Sequence, residues 1–306
     1  MATVAAPAPA SARRRRPWRG PWRFPFGLQT FTWLYLVWSI VPIGISILFS
    51  FNAGKSQATL QTPLSLRWYT GKNKSFPSVL HDPILHAAVI QTLKLGAIVT
   101  LITIPLGVGF AIGIDRWRGR SSNGLNLVMI FSFVVPELLL AVALYFVFLQ
   151  LFKFVHLGTG AETAALVVWN ISWPAIIVRA RLVTIGKSYE EAAADLGASR
   201  LSALWRVLTP LLLPAIFASA VLTFASVVDD FVLVEQLSGN GGSQTMAVII
   251  YSQQHGGGGG PALNALATLM LLFSLVVAAL GYGAYRLMTR GERGSTTEAL
   301  TSIAGM

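Results

Sequence analysis

The stretch Ser188–Pro214, SYEEAAADLGASRLSALWRVLTPLLLP, decides how the rest of the chain is read. It is the one long interruption in an otherwise lipid-soluble sequence that is itself patterned as ordered structure. Ser188 and Glu191 have the spacing of a capping box, which predicts a helix with Ser188 as its N-cap. Glu190 and Glu191 then sit in the first turn, where the helix dipole favours negative charge. Ala192, Ala193 and Ala194 are strong helix formers that project little, so another surface can come close. Gly197 is placed to end the helix in a left-handed conformation. Leu201, Leu204, Trp205 and Leu208 recur at the spacing of one helix face and predict a second amphipathic segment. Pro210 is expected to stop it, and Pro214 to open the next apolar span. Two short helices with a bend, displayed on a membrane face, are the expectation.

The surrounding chain has 306 residues, 54% of them hydrophobic and 11% charged, with a mean hydropathy of +0.63. Soluble domains carry about 25% charged residues, so the composition predicts a polytopic membrane protein. Length alone would suggest two soluble domains, but the apolar spans favour one membrane bundle. The absence of cysteine excludes disulfides and thiolate metal sites, and the 4 histidines show no metal-ligand spacing.

Six spans are predicted, near residues 28–51, 84–114, 124–152, 162–182, 214–233 and 262–287, giving an all-α membrane protein. Residues 1–27 form an Ala/Pro-rich tail that turns basic, with Arg13–Arg16, Arg19 and Arg23 around Trp18 and Trp22. Such a mixture can bind nucleic acid, but directly before a span it suits an anionic membrane surface better. The transmembrane bundle is expected over 28–290 and a second polar tail over 291–306. Trp68 and Tyr69, in the polar 52–83 connection, are expected as interface anchors. The 234–261 connection reads as Gly-rich and polar, with Gly256–Gly260 at its end.

With both termini inside, the segments on the cytoplasmic side hold Arg13–Arg16, Arg19, Arg23, Arg116, Arg118, Arg120, Arg179, Arg181, Lys187, Arg200, Arg206, Arg286, Arg290 and Arg293. The outer segments hold only Lys55, Arg67, Lys72, Lys74 and Lys153. The excess orients the chain with Ser188–Pro214 in the cytoplasm and explains the net charge of +11 without nucleic acid.

Chemistry is sparse. Gly186-Lys187-Ser188 resembles the end of a phosphate-binding loop, but Arg181 stands where that motif needs glycine. No nucleophile elbow, metal-binding run or catalytic pair is present, so no catalytic residue and no metal site are expected. Ionisable groups at membrane depth are functional candidates. Glu137 follows Pro136 in mid-span, where a broken helix could border a cavity; a structural helix–helix hydrogen bond is the alternative. Asp229 and Asp230 fall about 27 Å along the fifth span, near its outer mouth, either as ligands or as a solvated helix end. Lys94 lies in the second span, free to snorkel or to pair.

Glu191-Ala192-Ala193, three residues, Gly197, nine residues, Val207, one residue and Thr209-Pro210 resemble the EAA loop of binding-protein-dependent ABC importer permeases. Thr209 stands where the usual motif has leucine. The resemblance implies the type I (MetI-like) permease fold and a cytoplasmic coupling helix that docks into a separate ATPase. Glu190, Glu191, Ala192, Ala193, Asp195, Gly197 and Pro210 are the coupling residues it implies. An amphipathic helix lying on lipid is the alternative, disfavoured by the alanine-rich face.

A second resemblance concerns cargo. Ser226-x-x-Asp229-Asp230-Phe231-Val232, Gly239 and Pro261-x-x-Asn264-Ala265-Leu266-Ala267-Thr268-Leu269 are similar to spermidine/putrescine permeases, as are Val135-Pro136-Glu137-Leu138 and Val178-Arg179-Ala180-Arg181-Leu182. Related permeases for other small solutes share the EAA loop, and that alternative stays open. A polyamine is a flexible polycation suited to carboxylates and aromatic faces. Glu137, Tyr145, Trp169, Trp173, Asp229 and Asp230 supply both, although each aromatic alone also fits a lipid-facing belt. The resemblance implies an ABC ATPase dimer that binds ATP and Mg, a second permease subunit completing a heterodimer, and an extracytoplasmic substrate-binding protein. It also implies a multi-pass location in the inner membrane. An ATPase-independent channel or secondary transporter is the rival class; its inverted repeats are not visible.

Overall fold

The computed structural model describes residues 26–56, 59–73, 76–116, 120–239, 242–256 and 260–304. The basic run expected to lie on lipid falls outside these residues. The chain divides into two units, one ending at Ile45 and one beginning at Ser46.

The first unit is formed by most of α1 (Phe26–Ser50). Phe31, Trp33, Tyr35, Trp38 and Ile40 are all exposed around it. A helix apolar on every side has lipid as its solvent, because its own backbone bonds leave nothing for water to satisfy.

The second unit opens with a polar connection containing α2 (Arg67–Thr70) and a two-residue antiparallel ladder, β1 (Lys72–Asn73) with β2 (Phe76–Pro77). Then come α3 (Pro83–Arg116), α4 (Arg120–Val134), α5 (Glu137–Gln150), α6 (Thr159–Asn170) and α7 (Ser172–Ile185). After them follow α8 (Ser188–Asp195), α9 (Arg200–Ala203), a π-helical turn over Leu204–Leu208 and α10 (Thr209–Asp229). The chain finishes with α11 (Val232–Leu237), α12 (Met246–His255) and α13 (Pro261–Ala304). Five helices are long and apolar enough to cross a membrane: Gly27–Ser50, Pro83–Arg116, Thr159–Ile185, Arg200–Asp229 and Pro261–Leu287. Residues Gly124–Val134 and Glu137–Gln150 make a sixth span if counted together, bent by 107°. The bend has a cause in the sequence: Pro136, extended at ψ 132°, ends one helix and starts the next.

α3 is the central post, packed along α6, α7 and α10. Small residues allow the approach. A Cβ at Gly107 would overlap the ring of Pro174, and one at Gly96 would lie 2.7 Å from Phe224. At one level Leu95 and Val99 join a core with Ala141, Phe148, Leu166, Leu233 and Leu237. Nearer the α8 end Ala111 packs with Val178, Leu182, Leu208 and Leu212.

Several expectations are corrected. Trp68 is not an interface anchor: it is 3% exposed, packs with Val79, Leu85, Met246 and Leu266, and donates its indole N–H to the Asn52 carbonyl at 2.7 Å. Tyr69 donates its hydroxyl to Ser50 at 2.7 Å. An aromatic in a polar connection reads as an anchor only when nothing folds over it, and here α12 does. That helix was hidden because its apolar run, Met246–Tyr251, is too short to span and is flanked by glycine and polar residues. Nor does Pro210 stop a helix. The π-helical turn slides the hydrogen bonding by one residue, with Thr209 N–H donating to the Leu204 carbonyl, so the missing proline N–H is accommodated. The fifth span therefore begins at Arg200 rather than Pro214. The three leucines and the tryptophan of the predicted face also split, Leu201 and Trp205 outward, Leu208 inward.

Candidate functional site

The loop at the α8 end is built from its caps. Gly186, at φ +73°, turns the chain out of α7, and Lys187 precedes α8. Ser188 is the first residue of α8 and not its cap; no side-chain cap bond forms, so the predicted capping box is absent. The acidic first turn, Glu190 and Glu191, remains as expected. At the other end Gly197, at φ +81°, donates its N–H to the Ala194 carbonyl at 2.9 Å, and Ala198 N–H reaches Ala193 at 3.0 Å. These two bonds are a Schellman motif, which demands the left-handed residue that the sequence supplies. Ser199 then caps α9 by accepting from Ser202 N–H at 3.3 Å.

No residue of α8 is buried. Tyr189, Leu196, Leu201 and Trp205 are exposed around the bend, and Leu196 is 89% exposed. Glu191, Ala192 and Asp195 are exposed as well, whereas Ala193 and Glu190 are half-buried. Apolar side chains gathered on a charged bend are the kind of patch that serves as a protein or membrane contact surface. Behind the knuckle lies a cavity of about 470 Å³, lined among others by Ile112, Arg116, Glu190, Ala194 and Leu204.

The six residues expected along the substrate path do not form one cluster. Asp230 is buried at the break between α10 and α11, where its Oδ1 accepts the Leu233 N–H at 3.1 Å. Glu137 opens α5 just after the Pro136 bend, and its carboxyl lies within hydrogen-bonding reach of Asp230. Two residues 93 positions apart in sequence thus face each other across two helix breaks. Among the described residues the groups acting on Asp230 are Glu137 and the backbone N–H groups of Leu233 and Val234, with no cation. Tyr145 and Trp169 pack, half-buried, against the core that also receives Phe231. Asp229 is exposed and turned from the pair. Trp173 belongs elsewhere, edge-on to Phe133 of α4 at 5.3 Å. A second, mostly apolar cavity of about 480 Å³ borders the bend, lined among others by Phe110, Ser132, Val135, Leu140 and Ser172.

Two features were missed. Glu162 is fully buried at the start of α6, accepting from Gln91 Nε2 at 3.1 Å and from the Ser243 hydroxyl. It ties α3 and α6 to the connection before α12, and its only sequence signal was a carboxylate opening a span. Arg116 closes α3 and forks onto Glu190; the sequence shows it only as a charge on the cytoplasmic side. Among the described residues no group of His, Asp and Glu could hold a metal ion.

A nearly all-helical chain with several apolar spans, broken beside two facing carboxylates, has the architecture expected of the membrane component of a transporter. Residues 103–294 match the family described as binding-protein-dependent transport system inner membrane component, and the chain belongs to that family. The putrescine transport system permease protein PotI of Escherichia coli K12 is 30% identical over 282 residues, 90% of this chain and 93% of its own. The spermidine/putrescine permease PotC of the same strain is 26% identical, over 88% of this chain and 96% of its own. The molybdenum transport permease ModB of Mycobacterium bovis is 28% identical over 219 residues, 68% of this chain and 83% of its own. In fold the chain is similar to a bacterial ABC transporter involved in alginate import, at TM-score 0.68 and 14% identity, covering 86% of this chain and 96% of that one. It is also similar to an inward-facing MetNI methionine ABC transporter, at TM-score 0.58 and 19% identity, covering 68% and 97%. The chain is thus a multi-pass inner-membrane permease of the type I ABC importer fold.

Proposed function

We propose that this permease forms one half of the membrane channel of a polyamine importer driven by a separate ATPase. The observation that carries the cargo assignment is the Glu137–Asp230 pair, two carboxyls that share one site, with no cation of the described residues among the groups acting on Asp230. A primary or secondary ammonium is such a cation, and Tyr145, Trp169 and Phe231 put aromatic groups into the same core region. The names of the two Escherichia coli relatives point to the same substrate class. Two carboxyls hold one end of a polycation weakly, which suits a path that must also release it.

The coupling role rests on Glu190, Glu191, Ala192, Ala193, Asp195, Gly197 and Pro210, which order the exposed knuckle. An ATPase dimer that binds ATP and Mg docks there, and that separate subunit supplies the nucleotide site. Both termini lie in the cytoplasm, with the basic tail against anionic lipid. A second permease completes the channel, and an extracytoplasmic binding protein delivers cargo to the 52–83 and 234–261 connections. Closure of the ATPases pushes α8 and rocks the bundle outward, cargo enters, and hydrolysis resets it.

The test is uptake of radiolabelled putrescine and spermidine by cells carrying the complete system with Glu137→Gln and Asp230→Asn, singly and together. Loss of uptake with normal membrane levels supports the assignment; unchanged uptake removes both residues from the path. The ModB relative favours one other reading, an oxyanion importer. Molybdate uptake that survives both substitutions, with no polyamine uptake in the parent, would establish that reading instead.

A further inference from the structure

α8 is the element on which an external motor would push, yet it is poorly attached to the bundle it must move. None of its residues is buried, and the cavity of about 470 Å³ lies between its inner face and the end of α3. Side-chain packing therefore carries little force from α8 to α3. Arg116 crosses that space. Its Nε donates to Glu190 Oε1 at 2.9 Å and its Nη2 lies 2.7 Å from the same oxygen. Nη2 also donates to the Gly186 carbonyl at 2.8 Å, and Nη1 is held by Asp115. One planar guanidinium thus joins the last turn of α3, the C-cap of α7 and the first turn of α8. Both partners are largely shielded, with side-chain exposures of 17% for Arg116 and 26% for Glu190, so the pair is less screened than a surface one. α3 in turn runs the depth of the bundle, and its Leu95 and Val99 pack in the core that holds Leu233 and Val234, next to Asp230.

We propose that Arg116 is the positioning residue through which displacement of α8 reaches α3, and so the carboxylate pair. The inference rests on reading α8 as the ATPase-docking helix. Lysine cannot replace it, because a point charge cannot serve Glu190, Asp115 and the Gly186 carbonyl in one plane.

The experiment uses the complete transporter in proteoliposomes, with Arg116→Ala, Arg116→Gln and Arg116→Lys. Three readouts are taken: ATPase retained on the tagged permease, ATP hydrolysed, and solute accumulated. The expected result is full retention of the ATPase and near-parental hydrolysis, with accumulation reduced about tenfold, within the usual range of coupling between sites. ATP consumed per solute then rises by a similar factor. Hydrolysis and accumulation that fall in proportion, or that both stay at the parental level, overturn the proposal. Loss of ATPase retention in the variants also overturns it, since Arg116 would then only hold the docking surface in shape. If the unsubstituted permease retains no ATPase, the docking reading itself fails and takes this inference with it. Should Arg116→Ala not insert, Arg116→Gln and Arg116→Lys give the same readouts.

Discussion

Substitution of Gly197 isolates one physical term, the cost of a left-handed residue at the end of α8. Its φ of +81° is sterically unfavourable for residues with a Cβ, by about 1–2 kcal/mol. No heavy atom lies within 4 Å of a Cβ built there, so crowding adds nothing. The penalty is therefore purely conformational and should depend on backbone preference, not size. Asparagine, which visits this region readily, should cost little; alanine about 1 kcal/mol; valine, stiff at χ1, about 2 kcal/mol or more. At 1–2 kcal/mol the ordered end of α8 loses about 5- to 30-fold in population relative to its frayed form. The Gly197→Ala N–H would still be able to reach Ala194, but in fewer molecules. Hydrogen exchange at the amides of residues 197 and 198, in a lipid nanodisc, reads that loss directly. ATPase retention on the same variants should follow the order Gly, Asn, Ala, Val. If valine protects those amides as well as asparagine does, the Schellman account of the bend is wrong.

Other consequences are equally specific. Trp68→Ala should destabilise the unit beginning at Ser46 by about 3–5 kcal/mol in thermal unfolding, and Trp68→Phe by about 1 kcal/mol through loss of the bond to Asn52. An interface anchor would show neither. Glu162→Ala leaves Gln91 and the Ser243 hydroxyl without their buried acceptor and should cost about 1–3 kcal/mol, whereas Glu162→Gln, which keeps an acceptor for Ser243, should recover most of it. Gly107→Ala drives a methyl into the Pro174 ring and should cost about 1–3 kcal/mol, while Gly109→Ala, open to space, should be nearly neutral.

How legible this was depended on range in sequence. The spans were readable because a run of apolar residues needs no partner to declare itself, and Pro136 announced its break for the same local reason. Gly197 was equally local: one residue type, one backbone region. The failures share the opposite property. Trp68 is core because α12, nearly 180 residues later, folds over it, and α12 itself is too short to stand out. The Ser188 cap failed by a single position, since Lys187 rather than Ser188 precedes the first turn. Pro210 carries a rule about α-helices that a π-helical turn evades. Glu137 and Asp230 were each visible as intramembrane carboxyls, but their meeting was not, because it depends on two breaks facing each other. Arg116 was recorded for its charge and orientation; its fork onto Glu190 required the angle between α3 and α8.

The central claim is that the knuckle around α8 is where a separate ATPase grips this permease. The chain contains 0 cysteines, so a single introduced thiol reports without background. Leu196→Cys, on the most exposed side of the bend, should cross-link to the ATPase subunit in inner-membrane vesicles, with a yield that changes on adding nucleotide. Leu222→Cys, exposed in the middle of α10, should not. Labelling of Leu196→Cys by an impermeant reagent from the outer side, with no cross-link to any ATPase, would contradict the account.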